Sequence, residues 1–170
     1  APPSTTDRAS TRRVAGGGER SGSVLNALLH LHALGADDED WVLVHDAARP
    51  NLARDDLDKL LSELADDPVG GLLAVPARDT LKRVDKNGRV VETVDRSVIW
   101  QAYTPQMFRL GALHRALADS LVADAVITDE ASAMEWAGLA PRLIEGRSDN
   151  LKVTRPEDLE WLRQRWANRR

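Results

Sequence analysis

The sequence predicts an α/β domain in which helices flank a mainly parallel sheet. Two apolar runs without polar alternation, residues 41–45 and 69–75, are typical of strands that are buried on both faces. Between them, leucines at helical spacing predict a helix from about Asp55, with Asp55 as its N-cap. A strand, a helix and a second strand in this order indicate a right-handed crossover between parallel strands.

The remaining elements follow from similar patterns. Before the first strand, an apolar stripe that includes Leu28, Leu31 and Leu34 predicts a helix that ends near Gly35. After the second strand, further stripes predict three helices, of which the middle one begins with Thr128 as its N-cap. A short strand is predicted at 142–145, before the last of these helices.

Residues 76–99 interrupt this alternation and predict a β-hairpin. Asn87-Gly88 is a strong hairpin-turn signal, and it separates the flanking segments 80–85 and 89–95. These flanks carry many charges, and a two-stranded ribbon is marginally stable alone. We therefore expect an arm, residues 76–99, that packs on a second subunit; the alternative is a ribbon that folds back on its own domain.

Composition limits the class of protein. The chain has 170 residues, a formal net charge of −4 with acids and bases interspersed, and no cysteine. This balance does not favour binding to nucleic acid or to a membrane surface, and no apolar segment approaches the roughly 20 residues of a membrane span. We expect a cytoplasmic protein with a disordered or non-native leader at residues 1–13 and a single domain at 14–170.

The end of the first predicted strand carries a candidate site. His45, Asp46 and Arg49 follow the apolar run, and ligands of open α/β sheets bind beyond the carboxyl ends of strands. Arg offers a planar fork of donors for phosphate, and Asp can hold a hydrated magnesium ion or a ribose hydroxyl. The alternative is a structural one, in which Asp46 caps a turn and pairs with a nearby Arg.

Other segments also suit a phosphorylated ligand. Gly16, Gly17 and Gly18 precede a helix start with Ser23, which resembles an anion-binding loop but is equally typical of a flexible turn. Hydroxyl and cationic side chains recur near predicted helix starts and strand ends, at Thr80, Lys82, Arg96, Thr104, Thr128 and Lys152. Each of these residues, taken alone, is more often a solvated surface residue or a helix cap than a ligand-binding residue.

Seven segments together resemble the 2-C-methyl-D-erythritol 4-phosphate cytidylyltransferase family, in order and in spacing, from about Val14 to the C-terminus. The matching segments are 16–24, 44–50, 78–83, 93–96, 104–106, 128–132 and 145–158. The resemblance implies a Rossmann-like nucleotidyltransferase fold and a homodimer that exchanges hairpin arms. It also implies a reaction of CTP with 2-C-methyl-D-erythritol 4-phosphate, with magnesium, to give the CDP-linked product and pyrophosphate.

The resemblance also assigns roles to residues. The nucleotide site would comprise Gly16, Gly17, Gly18, Ser23, Asp46 and Arg49, with Asp46 as a magnesium ligand. The methylerythritol phosphate would be bound by Thr104, Thr128 and Lys152, and Thr80 and Arg96 of the arm would reach the methylerythritol phosphate that is bound mainly by the partner subunit. Arg96 and Lys152 would act as catalytic residues because they hold the attacking phosphate.

The start of the chain departs from the family pattern. The family begins with a strand and a glycine-rich loop that carries an Arg and a downstream Pro-Lys-Gln, and residues 1–13 show neither. We therefore expect a chain without the family's N-terminal third. One alternative function is a catalytically inactive homologue that serves as a dimerisation or ligand-binding module. Another is a nucleotidyltransferase for a different sugar or alcohol phosphate.

Overall fold

The structure, a computed structural model, describes residues 11–167. The helices in this part are α1 (Arg20–Ala33), α2 (Arg54–Leu64), α3 (Leu110–Val122), α4 (Glu130–Trp136) and α5 (Pro156–Ala167), with a short 3-10 helix at Arg96–Val98. The strands are β1 (Trp41–Val44), β2 (Gly70–Pro76), β3 (Leu81–Val84), β4 (Val90–Val94), β5 (Trp100–Arg109) and β6 (Arg142–Glu145). Residues 1–10 of the predicted leader lie outside the described residues, so the leader stays a prediction.

The main sheet is mixed. Its strand order is β1-β5-β2-β6, with β5 antiparallel to β1 and to β2 and with β2 parallel to β6. The predicted α/β class is confirmed, and three of these four strands run in the same direction. β1 and β2 run in the same direction, as predicted, but they are not neighbours, because β5 lies between them and runs the opposite way.

The sequence did not predict β5, although it is an inner strand of this sheet. Pro105 lies in its middle, and proline cannot donate a ladder hydrogen bond, so it argues against an inner strand. The structure accommodates it with an irregularity: Leu72 is opposite Gln106, whereas Ala74 is opposite Ala102. The ladder between β2 and β5 is thus interrupted where Pro105 stands.

β1 is less buried than predicted because it lies at an edge of the described sheet. Val42 is buried, but Leu43 is 37% exposed. An apolar groove of about 390 Å³ separates β1 from α1 and is lined in part by Leu31 and Leu43. The predicted stripe of α1 is accordingly buried at Leu28 and open at Leu34, which is 58% exposed.

The core occupies both faces of the sheet, because alternate side chains of a strand point to opposite faces. Leu72 and Phe108 pack on one face against residues of α1, α3 and α4, while Met107 packs on the other against Leu60 and Leu64 of α2. Burial of each such side chain contributes about 2 kcal/mol. This packing holds the ends of the strands, and the loops that follow them, in a fixed arrangement.

Two predicted helix caps shift by one or two residues. The N-cap of α2 is Ala53, and Asp55 lies instead in the first turn, where the helix dipole favours an acid. The N-cap of α4 is Asp129 rather than Thr128. Its carboxylate accepts a hydrogen bond from the Ser132 N–H, and the Ser132 side chain bonds the Asp129 backbone, which completes a capping box.

The predicted hairpin is confirmed as a separate ribbon of β3 and β4. Gly88 adopts φ +76° in the turn, a conformation that glycine allows. Most side chains of the ribbon are exposed, including Val84, Val90 and Val91. No helix within residues 11–167 is long and apolar enough to cross a membrane.

Candidate active site

A cleft of about 210 Å³ lies beyond the end of β1 and beside the middle of β5. Five residues singled out in the sequence line it together: Asp46, Arg49, Thr104, Thr128 and Lys152. Their segments are far apart in the chain but meet here because β1 and β5 are neighbours and the loops before α4 and after β6 close over them. Arg20, Tyr103, Gln106 and Asp129 also line the cleft, and the sequence analysis had not selected them.

Asp46 forms ion pairs with two of the cationic side chains that line the cleft. Its Oδ2 lies 2.9 Å from Lys152 Nζ, and its Oδ1 lies 3.2 Å from Arg20 Nη2. Partial burial raises the pKa of the Asp46 carboxyl, but the Lys152 hydrogen bond and the Arg20 charge outweigh it, so the pKa lies below its usual value. Asp46 is therefore ionised at neutral pH and neutralises part of the positive charge in the cleft.

The sequence predicts Arg49 as a donor for phosphate, but in the structure its side chain makes several contacts within the protein. Its Nη1 donates to the Asn150 carbonyl at 2.8 Å, and its guanidinium lies 4.3 Å from the centre of the Tyr103 ring. The residue is 8% exposed, and burial lowers the pKa of its guanidinium. Among residues 11–167, its Nε has no hydrogen-bond partner. Arg49 thus gives the cleft wall a fixed, largely buried cation.

Thr104 orders the loop after β1 through a chain of hydrogen bonds. The Asp46 N–H donates to Thr104 Oγ1 at 3.1 Å, and this hydroxyl lies 2.9 Å from His45 Nδ1. His45 Nε2 lies 2.9 Å from the carbonyl oxygen of Arg49, which can only accept. In neutral His45, Nε2 therefore donates and Nδ1 accepts from Thr104. The Thr104 hydroxyl thus supports Asp46 from within the fold.

Thr128 faces the cleft from the N-terminal end of α4, where it is exposed. Gln106 fixes this end, since its Nε2 donates to Asp129 Oδ2 at 2.9 Å and its Oε1 accepts from the Ala131 N–H at 2.8 Å. Gln106 is 1% exposed, so both of its polar ends are satisfied inside the protein. The position of Thr128 is set by this buried amide.

Lys152 reaches the cleft from the loop after β6. Two contacts anchor the loop: the Val153 N–H donates to the Ala48 carbonyl at 2.7 Å, and the buried Asn150 Nδ2 donates to the Thr104 carbonyl at 2.9 Å. The Lys152 side chain itself is 45% exposed. A fixed backbone and an accessible ammonium suit a residue that binds an anion.

The glycine run packs beside the first turn of α1 and does not line the cleft. The Gly17 N–H donates to Ser23 Oγ at 2.9 Å, so that donor is already used within the chain. A Cβ on Gly17 would lie 2.6 Å from the backbone of Gly22, which explains the need for glycine there. Ser23 lines the apolar groove, and Arg20 and Asp46 line both the groove and the cleft. Of the residues predicted to bind the nucleotide, Ser23 therefore lines the groove, Arg49 lines the cleft, and Asp46 lines both.

Thr80 and Arg96 lie in the arm, away from the residues that line the cleft in the described part of the chain. Both are exposed, and Arg96 Nη1 donates to the Arg78 carbonyl. The structure thus does not bring these two residues together with Thr104, Thr128 and Lys152 within one copy of the chain.

The Asp46 carboxylate is suited to bind a magnesium ion only together with other ligands. Both of its oxygens already bond cations, Arg20 and Lys152. Within residues 11–167 there is no group of three or more His, Cys, Asp or Glu side chains that could hold a metal. Magnesium in proteins is commonly held by one or two carboxylates, water and substrate phosphates. Asp46 thus fits as a single protein ligand to an ion carried mainly by phosphates.

The chain is similar in sequence to a known family. A model of the family described as 2-C-methyl-D-erythritol 4-phosphate cytidylyltransferase matches residues 5–163. The 2-C-methyl-D-erythritol 4-phosphate cytidylyltransferase of Pseudomonas fluorescens (strain Pf0-1) is 92% identical over 159 residues, which cover 94% of this chain. The match spans 68% of the length of that relative.

Solved structures give the same result. A crystal structure of 4-diphosphocytidyl-2C-methyl-D-erythritol synthase superposes with a TM-score of 0.79 at 47% identity, covering 88% of this chain and 68% of the other. The 2-C-methyl-D-erythritol 4-phosphate cytidylyltransferase of Francisella tularensis superposes with a TM-score of 0.77 at 42% identity, covering 88% and 69%. Sequence and fold therefore point to the same family.

Proposed function

Because the chain belongs to the 2-C-methyl-D-erythritol 4-phosphate cytidylyltransferase family, we propose that it transfers CMP from CTP to 2-C-methyl-D-erythritol 4-phosphate. The products are 4-diphosphocytidyl-2-C-methyl-D-erythritol and pyrophosphate. The observation that carries this proposal is the cleft, where cationic and hydroxyl side chains from five separate segments meet around Asp46.

The reaction joins two polyanions, so the chain's task is mainly to bring them together and to neutralise their charge. A phosphate oxygen of the methylerythritol phosphate forms a bond to the α-phosphorus of CTP. The bond from the α-phosphorus to the bridging oxygen breaks in line, and pyrophosphate leaves with the electron pair. The attacking oxygen is already ionised, so the reaction needs no side chain to remove a proton.

We propose that each substrate binds in one of two adjoining spaces, the groove or the cleft. Ser23 and Asp46 border the side where CTP would bind, the glycine run packs against Ser23, and the helix dipole of α1 favours phosphates there. Thr128 and Lys152 would hold the phosphate of the second substrate, since both are accessible from the cleft. Arg49 and Thr104 are largely buried, so their proposed contribution is the charge and shape of the cleft wall.

Magnesium is part of this proposal as an ion that arrives with CTP. It would offset charge on the triphosphate, and Asp46 would be its protein ligand. We expect activity to disappear with EDTA and to return with added Mg²⁺. In titration calorimetry, Asp46→Asn should weaken Mg²⁺-dependent binding of CTP more than binding of CTP without metal. Equal weakening in both titrations would remove Asp46 from the metal site.

We also propose that the arm of one copy reaches the cleft of a second copy. The support is that Thr80 and Arg96 do not line their own cleft, while the ribbon exposes apolar side chains at Val84, Val90 and Val91. Light scattering should show a dimer. Arg96→Met and Lys152→Met variants, each of low activity, should regain about a quarter of the native activity when co-expressed at equal levels, because half of the dimers are then hybrids and each hybrid has one site that holds both native residues. A monomer, or no regained activity, would contradict this arrangement.

The cytoplasm is the compartment that we propose for this reaction, because CTP is made and used there. Cell fractionation with an antibody against the chain would place it. The enzyme should be found with cytoplasmic markers.

The function itself is tested by incubating the chain with CTP, Mg²⁺ and 2-C-methyl-D-erythritol 4-phosphate. We expect release of pyrophosphate and a product with the mass of 4-diphosphocytidyl-2-C-methyl-D-erythritol. Release only with another alcohol phosphate, such as glycerol 3-phosphate, would indicate a different nucleotidyltransferase. Binding of CTP without any release would indicate an inactive binding module.

A further inference from the structure

Arg20, at the start of α1, joins two carboxylates that come from different parts of the fold. Its Nη1 donates to Glu130 Oε1 at 2.6 Å, and its Nη2 donates to Glu130 Oε2 at 2.9 Å. The other edge of the guanidinium, Nε and Nη2, reaches Asp46 Oδ1 at 3.3 and 3.2 Å. One side chain therefore connects the beginning of α4 to the loop after β1.

Glu130 is the anchor of this arrangement. It is the first residue of α4 and is 0% exposed, so its carboxylate depends on Arg20 for compensation of its charge. The hydrogen bond with Glu130 raises the pKa of Arg20 against the opposing effect of burial. A charge-paired, two-point contact with a buried carboxylate holds a guanidinium in one orientation.

Arg20 is poorly placed to bind a substrate phosphate directly, although it lines the cleft. All three of its nitrogens donate to carboxylates, and two negative charges offset its single positive charge. Lys152 differs, since its ammonium pairs with Asp46 and is half exposed to the cleft. The contacts therefore form one series: Glu130, Arg20, Asp46 and Lys152.

We propose that Arg20 is a positioning residue: anchored on Glu130, it holds Asp46, and Asp46 holds the Lys152 ammonium where the attacking phosphate binds. This inference rests on the proposed function for the part that concerns rate. Arg20 acts on the reaction through Lys152 and makes no bond to the reacting atoms.

The test uses the double variant Arg20→Met/Glu130→Gln in the full chain. Removing Arg20 alone would leave a buried, unpaired carboxylate and endanger folding, whereas the double variant removes both charges together. We expect kcat to fall about 10- to 100-fold, as for a misplaced catalytic group, with KM for CTP changing less than about threefold. Arg54→Met, which removes an exposed arginine paired within α2, is the matched control and should leave kcat unchanged.

A cycle with Lys152→Met decides whether Arg20 acts through Lys152. If it does, adding Arg20→Met/Glu130→Gln to Lys152→Met should lower kcat by less than about threefold more, because the group it positions is already gone. A further 10- to 100-fold loss would overturn the inference, because it would show that Arg20 affects the rate by a route other than Lys152.

A crystal structure of the double variant tests the same inference without an assay. We expect the Asp46 carboxylate to rotate and the Lys152 ammonium to leave its native position. Native positions of both groups would overturn the inference even if the native chain is active. If the native chain releases no pyrophosphate at all, the proposed function fails, and this structure still decides whether Arg20 positions Asp46 and Lys152.

Discussion

Thr104 and His45 are joined by a hydrogen bond, with Oγ1 of the threonine 2.9 Å from Nδ1 of the histidine. The bond ties the middle of β5 to the loop after β1, and the Asp46 N–H donates to the same hydroxyl. The hydroxyl is therefore a structural support of the cleft floor as well as a part of its lining.

Replacing Thr104 by valine keeps the shape of the side chain but leaves the Asp46 N–H and His45 Nδ1 without their partner. We expect the free energy of unfolding to fall by about 1 kcal/mol, the net worth of a hydrogen bond, because water can reach the partly buried Asp46 and the exposed His45. Thr104→Ser keeps the hydroxyl and should retain most of the stability. Urea denaturation of the two variants measures the difference, and equal stabilities would show that the hydroxyl contributes nothing to the fold.

Lys152→Ala should leave the protein folded and lower the rate of pyrophosphate release by about 100-fold or more, because it removes charge stabilisation of the attacking phosphate. The matched control is Lys59→Ala on α2, since the Lys59 side chain is 44% exposed and that of Lys152 is 45% exposed. Steady-state kinetics and thermal denaturation check both variants. An unimpaired rate in Lys152→Ala would remove Lys152 from the mechanism.

The glycine run offers a paired test of close packing. In Gly17→Ala the new Cβ would lie 2.6 Å from the Gly22 backbone, whereas a Cβ on Gly18 meets nothing within 4 Å. We expect Gly17→Ala to break the bond from the residue 17 N–H to Ser23 and to destabilise the fold by about 1 kcal/mol. Gly18→Ala should be close to neutral. Denaturation and hydrogen exchange at the residue 17 amide measure this; equal behaviour of the two variants would contradict it.

Asp149 should make stability depend on pH in acid. Hydrogen bonds from Arg147, with help from the charges of Arg147 and Arg165, lower the pKa of Asp149 below its ordinary 3.8, against the opposing effect of burial. The ionised form is therefore favoured by folding: its stabilisation is complete above the ordinary pKa and is lost as the pH falls through the lower, folded value.

We expect Asp149→Asn to be less stable than the native chain by about 2 kcal/mol at pH 7, the worth of charged hydrogen bonds. The difference should shrink as the pH falls below 3.8. Urea denaturation at pH 7, 5 and 3 measures it, with the exposed Asp66→Asn as a control. A difference that is the same at pH 7 and pH 3 would show that ionisation of Asp149 plays no part.

The sequence predicted those elements whose structure is decided by a local pattern of residues. Apolar runs located β1 and β2, and Asn87-Gly88 located the hairpin. The meeting of Asp46, Arg49 and Lys152 was also foreseen, because residues at the ends of strands share one edge of a sheet. Their roles in binding and catalysis stay predictions.

Local sequence patterns did not predict the features of the structure that depend on contacts between residues far apart in the chain. β5 was missed because Pro105 argues against an inner strand, yet an interrupted ladder accommodates it. Arg20 and Gln106 lie within recognisable motifs, but the partners that explain them, Glu130 and Asp129, are far away in the chain. Spacing along a sequence carries no information on such pairings, because packing of whole helices and strands creates them.

The position of β5 between β1 and β2 has a consequence for biosynthesis. Within residues 11–167, β1 forms a ladder only with β5, and this ladder cannot form on the ribosome until residues 100–109 have emerged. Native pairing of this kind is non-local and slow compared with helix formation. Until then the nascent chain exposes apolar segments that lack their native neighbours, which makes it a natural client for chaperones during translation.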